Sequence, residues 1–259
     1  NMFTVVCYDT LSNAAYAAVY LTSSPSTPFA MVPHSDVPAL SEDGSTLVTT
    51  GYPFGSTVTV FKLSVGAYVA QQVITTSFGA NLVSIAPDAS AFAVSDQVTK
   101  TSIYGWISST SQFVIAPSMP LSVACNSLAV SSQSSSGATT IACADNLQLT
   151  SPIFSLVNTM GSLSVITQAT ISGGTRLAVA ITPDGSTVAI SNDVSSTTIH
   201  SATTGSMIAS PKQPTRLQSR VMLPLCSWPI QASTATLDEQ CGTTCSSLPP
   251  SLSSQCRCR

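Results

Sequence analysis

Charge is what this sequence lacks most. Lys, Arg, Asp and Glu together make up 7% of its 259 residues, against about 25% in ordinary globular proteins. Only two Glu and three Lys occur, so the usual surface helix formers are nearly missing. The net charge of −3 has no basic excess, which argues against nucleic acid as a partner. A nucleophile elbow, a P-loop, a G-x-G-x-x-G and an H-E-x-x-H are all absent, which removes the common motif-borne hydrolase, nucleotide and zinc-protease chemistries. No N-glycosylation sequon is present either, since Asn126 and Asn158 have Ser or Thr one residue too early.

What fills the space is hydroxyl. Ser (45) and Thr (32) account for 77 of the residues. Three tracts carry no charge at all: Leu63 to Pro87, Thr101 to Ala144 and Asn146 to Thr175. They are too rich in Ser, Thr, Gln and Asn to be bilayer helices, which need about 20 mostly apolar residues, and no membrane span is expected. The mean hydropathy of +0.35 reflects Ala, Val, Ile and Leu in alternation, as in strands with one face buried. Soluble domains keep roughly 25–35% of their surface charged. A hydroxyl surface needs another form of cover, from attached glycans or from neighbouring subunits; the plainer reading is a neutral Ser/Thr-rich secreted domain.

The eight cysteines are Cys7, Cys125, Cys143, Cys226, Cys241, Cys245, Cys256 and Cys258, five of them within the last 34 residues. An even count with a dense terminal cluster points to a disulfide framework and an oxidising, extracellular compartment. A zinc site from Cys241/Cys245 and Cys256/Cys258 lacks the two-residue knuckle spacing and a nearby His. Because the terminal cluster holds an odd number, full pairing within the chain requires at least one bond to the body. The chain opens on Asn1-Met2 without a charged-then-apolar leader, as expected of a processed chain or a fragment.

Three segments share one pattern: residues 39–51, 84–96 and 180–193 each read as a short strand, a turn led by Asp43, Asp88 or Asp184, and an apolar-alternating strand. Gly44 and Gly185 follow the first and third Asp, and Ala89 follows the second. Further strands are expected at 57–61, 100–106 and 197–202. The Asp spacings imply a period of 45–48 and a degenerate unit midway, placed at 123–132 and 138–144 with its turn shortened. A period of about 40–50 residues with four strands per unit belongs to propeller blades. The residues Pro183-Asp184-Gly185-Ser186 with Val188, Ile190, Ser191 and Asn192, then Ile199 and Thr204-Gly205, resemble the YVTN-type and WD-repeat-like β-propellers over roughly residues 37 to 210. The fold expected is all-β and propeller-like, with about five degenerate four-stranded blades in residues 1–230 (units about 1–36, 37–80, 81–118, 119–170 and 171–215). Phe3 to Asp9 reads as the third strand of a unit, in phase with 139–144, so that 216–228 would supply missing strands and close the ring. Residues 231–259 form a disulfide-rich, Pro/Ser-rich tail of extended character. Ser/Thr beside Pro suggests O-glycan acceptors at Ser23, Ser24, Ser26 and Thr27, and at Ser246, Ser247, Ser251, Ser253 and Ser254.

Candidate chemistry is sparse. His34-Ser35-Asp36 cannot form a triad from adjacent positions and reads as a polar turn. His200 lies in an expected strand and reads as structural. Asp193 and Asp96 could contribute to a calcium site, yet no loop has the alternating acid spacing. Trp106 and Trp228 read as packing residues. No catalytic, cofactor-binding or metal residue is therefore assigned. The function expected is a non-enzymatic, secreted, cell-surface structural subunit with covalent O-linked glycans, self-associating into a homo-polymer, fibre, appendage or wall. The alternatives are a secreted propeller module binding a protein or carbohydrate, a propeller lactonase-type hydrolase, and a different β-fold such as tandem sandwiches.

Overall fold

The computed structural model describes residues 2–9, 14–33, 35–51, 55–117, 119, 121–145, 149–172, 176–192, 197–210 and 256–258. The described residues are all-β, in five four-stranded antiparallel sheets. The first holds β1 (Met2–Asp9), β2 (Ala14–Leu21) and β3 (Ser24–Pro33). The second holds β4 (Ser35–Leu40), β5 (Thr46–Gly51), β6 (Thr57–Ser64) and β7 (Ala67–Thr75). The third holds β8 (Leu82–Ile85), β9 (Ala91–Ser95), β10 (Thr101–Ile107) and β11 (Gln112–Ile115). The fourth holds β12 (Ser127–Val130), β13 (Ala138–Ala144), β14 (Thr150–Thr159) and β15 (Ser162–Ser172). The fifth holds β16 (Arg176–Ile181), β17 (Thr187–Asn192), β18 (Thr197–Ser201) and β19 (Met207–Ala209). A last strand, β20 (Cys256–Cys258), pairs with β1 and completes the first sheet.

Each sheet is a meander of consecutive hairpins, and its first strand packs against the first strand of the next: β4 on β8, β8 on β12, β12 on β16. That places the first strands innermost and makes each sheet a blade. β20 takes the inner place in the first blade, ahead of β1. Phe3 to Asp9 is thus a second strand, not a third, although it shares its rank with β13 as its phase with 139–144 suggested. The partner of β1 is 256–258; residues 216–228 lie outside the described residues, as does the tail from 231 apart from β20.

The core lies between blades. Phe92 and Val94 of β9 pack with Val48, Val58 and Val60 of the second blade, while Ala91 and Ala93 on the opposite face meet Leu128, Ile141 and Phe154 of the fourth. β13 repeats the device, with Ile141 and Cys143 toward the third blade and Ala142 and Ala144 toward Val188 and Ile190 of the fifth. Ala17, Val19 and Leu47 fill the space between the first two blades. Residues 46–50 and all of β9 are buried. In β9 the expected alternation of buried and exposed positions is therefore an alternation of large and small. A strand covered on both faces reads as continuous apolar sequence, and alanine on one face lets the neighbouring sheet approach.

The inner hairpins also link the blades. Turns 41–45, 86–90 and 182–186 have five residues, and the fourth blade's turn, 131–137, has seven; it is lengthened, not shortened. The Glu42 amide donates to the Pro87 carbonyl and the Ser132 amide to the Pro183 carbonyl, both at 2.9 Å. The Gln133 amide donates to Asp88 Oδ2 at 2.7 Å. These contacts join blades two to five in succession.

Candidate functional site

Asp43, Asp88 and Asp184 of the repeat turns each accept hydrogen bonds from their own loop, and Asp88 also accepts one from the neighbouring blade. Asp43 Oδ1 accepts from the Ser41 hydroxyl at 2.7 Å and the Ser45 amide at 2.9 Å. Asp88 Oδ1 accepts from the Ser90 amide and hydroxyl, and Asp184 Oδ1 from the Thr182 hydroxyl at 2.5 Å and the Ser186 amide at 3.1 Å. Partial burial would raise the Asp43 pKa, but the Ser41 and Ser45 donors and the Lys62 charge outweigh it and leave the group below the ordinary value. Asp184 is lowered by the Thr182 hydroxyl first and the Ser186 donors next. Gly44 and Gly185 adopt φ of +72° and +71°, left-handed conformations that an L-residue enters at a cost. Ala89 stands at the same place with φ +56°.

The opposite ends of the inner hairpins follow the same economy. Burial works to raise the Asp96 pKa, yet amide donors from Lys100, Thr99 and Val98 hold it below the usual range. The Asp96 carboxylate thus closes its own turn, and Asp193, its suggested calcium partner, lies outside the described residues. Among the described residues no three His, Cys, Asp or Glu side chains gather as metal ligands would. Asp36 is buried and accepts from the Tyr8 hydroxyl, an inter-blade bond for which the sequence carried no signal. His34 lies outside the described residues. His200 is buried in β18, with Nδ1 3.0 Å from the Gly205 carbonyl. Trp106 packs edge-on to Phe113 and lies under Lys62 Nζ at 4.9 Å; Trp228 is outside the described residues.

Cys125 and Cys143 form a disulfide across the fourth blade's inner hairpin, Cα to Cα 5.3 Å. Cys7 is buried, and Cys256 and Cys258 lie on β20. Cys226, Cys241 and Cys245 are outside the described residues. Ser23, Ser24, Ser26 and Thr27 are exposed at the β2–β3 hairpin, where the register shifts between the Tyr20–Pro28 and Leu21–Ser24 pairs. Ser246, Ser247, Ser251, Ser253 and Ser254 are outside the described residues.

The outermost strands form an unclaimed surface. β7, β11, β15 and β19 end their sheets and contain neither a charged residue nor a proline. Val69, Val73, Val114, Ile115, Ile166, Met207 and Ile208 are exposed along them. The β11 edge is partly capped: Gln72 of β7 donates to the Phe113 carbonyl at 2.8 Å and accepts from its amide at 2.9 Å. β15 is the longest at 11 residues. β3 differs, because Pro25, Pro28 and Pro33 interrupt it. A polar groove of about 350 Å³ opens between blades three and four, lined by Ser108, Ser109, Gln133, Asn158 and Met160. No described helix is long and apolar enough to cross a membrane.

No family model matches the chain, and no curated protein matches its sequence. Among solved structures, Saccharomyces cerevisiae Sqt1 is similar, with a TM-score of 0.57 and 11% identity over 77% of this chain and 57% of that one. The chain thus spans little more than half the length of Sqt1. Sqt1 is a WD40 β-propeller protein, and together with the five four-stranded sheets the likeness fits a WD-repeat-like propeller fold. At this identity it establishes fold alone.

Proposed function

We propose that this chain is a non-enzymatic structural subunit of an extracellular assembly, self-associating through the outer edges of its blades and carrying O-linked glycans. The observation that carries the reading is the composition of β7, β11, β15 and β19: four edge strands without a charge or a proline, each exposing large apolar side chains. Natural sheet proteins guard such edges with Lys, Pro or bulges, because an unpaired strand templates pairing with another chain; here the pairings of β7, β15 and β19 each carry a register shift, but no charge or proline lies on these edges. β15 offers the longest template, an extended hydroxyl-and-apolar edge with Ile166 58% exposed. The Cys125–Cys143 bond suits an oxidising compartment. The exposed Ser23, Ser24, Ser26 and Thr27 beside Pro25 and Pro28 suit O-glycosylation.

Negative-stain microscopy of the native material, with its intact mass compared with 26.6 kDa, tests the reading. Filaments or large assemblies and hexose-sized mass increments are the expected results. Discrete monomers of unmodified mass at high concentration would overturn it and favour a propeller binding module.

A further inference from the structure

We infer that a disulfide between Cys7 and Cys258 fastens the last strand of the chain into its first blade. The argument begins with register. β1 and β20 run antiparallel with Cys7 opposite Cys258, Arg257 opposite Tyr8 and Cys256 opposite Asp9. Directly opposed residues of an antiparallel pair have Cα atoms roughly 4.5–5.5 Å apart, inside the 4.4–6.8 Å that a disulfide spans. Diagonal neighbours stand roughly 7–8 Å apart, beyond that span, so register selects Cys258 over Cys256.

Parity supplies a second, independent reason. Cys125 and Cys143 are bonded to each other, and the five cysteines of the last 34 residues are an odd number. Complete pairing within the chain therefore needs one bond from that cluster to Cys7. The fourth blade provides a precedent: Cys143 is also a buried second-strand cysteine, and its bond likewise ties the second strand to the chain at the inner position. Cys7 is only 3% exposed, packed with Ala18, Tyr20 and Val5, which shields the bond from external thiols while the sheet is closed.

Formation of the bond removes two protons and two electrons from the two thiols. A disulfide-exchange oxidant of the secretory compartment receives them, its own S–S bond becoming two thiols. The result is a first blade fastened to the last strand by covalent linkage as well as by strand pairing, with residues 210–255 between β19 and that strand.

Trypsin resolves the question on the full chain made in an oxidising host. It cuts after Arg257, separating Cys258-Arg259 from the 221–257 peptide that carries Cys226, Cys241, Cys245 and Cys256. Alkylated under denaturing conditions without reduction, the 1–62 peptide is expected to carry the mass of Cys-Arg and to lose it on reduction. Recovery of Cys7 in alkylated form, or joined to the 221–257 peptide, would overturn the assignment. In Cys258→Ser, Cys7 is expected to become fully labelled under those conditions, and hydrogen-exchange protection of the β1 amides to fall about tenfold or more. Unchanged protection would count against a fastening role, and a variant that fails to accumulate leaves the wild-type peptide map to decide.

Discussion

Gly185→Ala tests whether the repeat turns are inter-blade joints or ordinary surface loops. A Cβ at this position would stand 2.7 Å from Thr140 Oγ1 and 2.8 Å from Ser131 Oγ, both on the fourth blade. Ser131 Oγ accepts from the Thr140 amide at 2.9 Å, so that hydroxyl cannot move aside without disturbing the hairpin, and Thr140 Cβ itself would stand only 3.1 Å away. The left-handed backbone alone costs an L-residue roughly 1–2 kcal/mol, and the overlap adds about 1 kcal/mol. A total of about 2–3 kcal/mol in a domain of this size lowers Tm by roughly 5–10 °C. The control is Ala89→Gly, at the equivalent place in the third blade, where φ is already +56°. There the relief of roughly 1 kcal/mol outweighs the chain entropy of glycine, so the sign reverses and the variant gains a few tenths of a kcal/mol. Thermal denaturation by circular dichroism, with urea unfolding to give ΔΔG, reads both. A Gly185→Ala midpoint within about 1 °C of wild type, or an Ala89→Gly variant less stable than wild type, would refute the equivalence of the turns.

Cys125→Ser opens a loop of sequence separation 18 and should cost about 3 kcal/mol in urea unfolding; Cys143→Ser should cost the same, with no further loss in the double variant. Ile166→Lys puts a charge in the middle of β15 and should abolish self-association by light scattering while leaving Tm unchanged, since Ile166 is exposed. The depressed Asp43, Asp96 and Asp184 contribute stability that is complete above their unfolded value of 3.8 and is lost as pH falls through their folded values. Urea midpoints should therefore be flat from this source at neutral pH and fall below about pH 4, less steeply in Asp43→Asn. Tyr68, pushed up to about 12 by burial and by Asp43, contributes stability present below pH 10.0 and lost as pH rises toward 12; Tyr68→Phe should remove that part of the alkaline decline.

The fold was legible because its punctuation repeats. Asp43, Asp88 and Asp184 each end an inner strand and begin the next, and local hydrogen bonding suffices to place them. The fourth blade keeps its strands but not its punctuation; its seven-residue turn uses Gly137 at φ +80° and Ser134 in place of the Asp that marks the other turns, so its length has no local signal. What could not be read was contact between blades. The large and small faces of β9 have the same local pattern as an in-and-out strand, and only the neighbouring sheets show that Ala91 and Ala93 face a core. The pairing of Tyr8 with Asp36 and of Gln72 with the Phe113 backbone likewise depends on which blade lies beside which. The pairing of β20 with β1 spans nearly the whole chain, and three residues of Cys-Arg-Cys carry no strand signal by themselves.

The few charges also explain the surface they leave behind. Asp43, Asp88 and Asp184 accept from their own turns, Asp96 from its own loop, and Asp36 from Tyr8. Lys62 lies over Trp106 and donates to Thr46 at 2.7 Å, and burial lowers its pKa despite the raising pull of Asp43. These six ionic groups therefore act as local fasteners for turns and blade contacts. The blade rims have none to spare. A rim of Ser, Thr, Val and Ile can still hydrogen-bond water, but it does not repel a second copy of itself, because no like charges meet when two such edges approach. Ile166→Lys is decisive for that reason: it restores the repulsion that the sequence omits at one position, and an assembly built on edge contacts must respond to it.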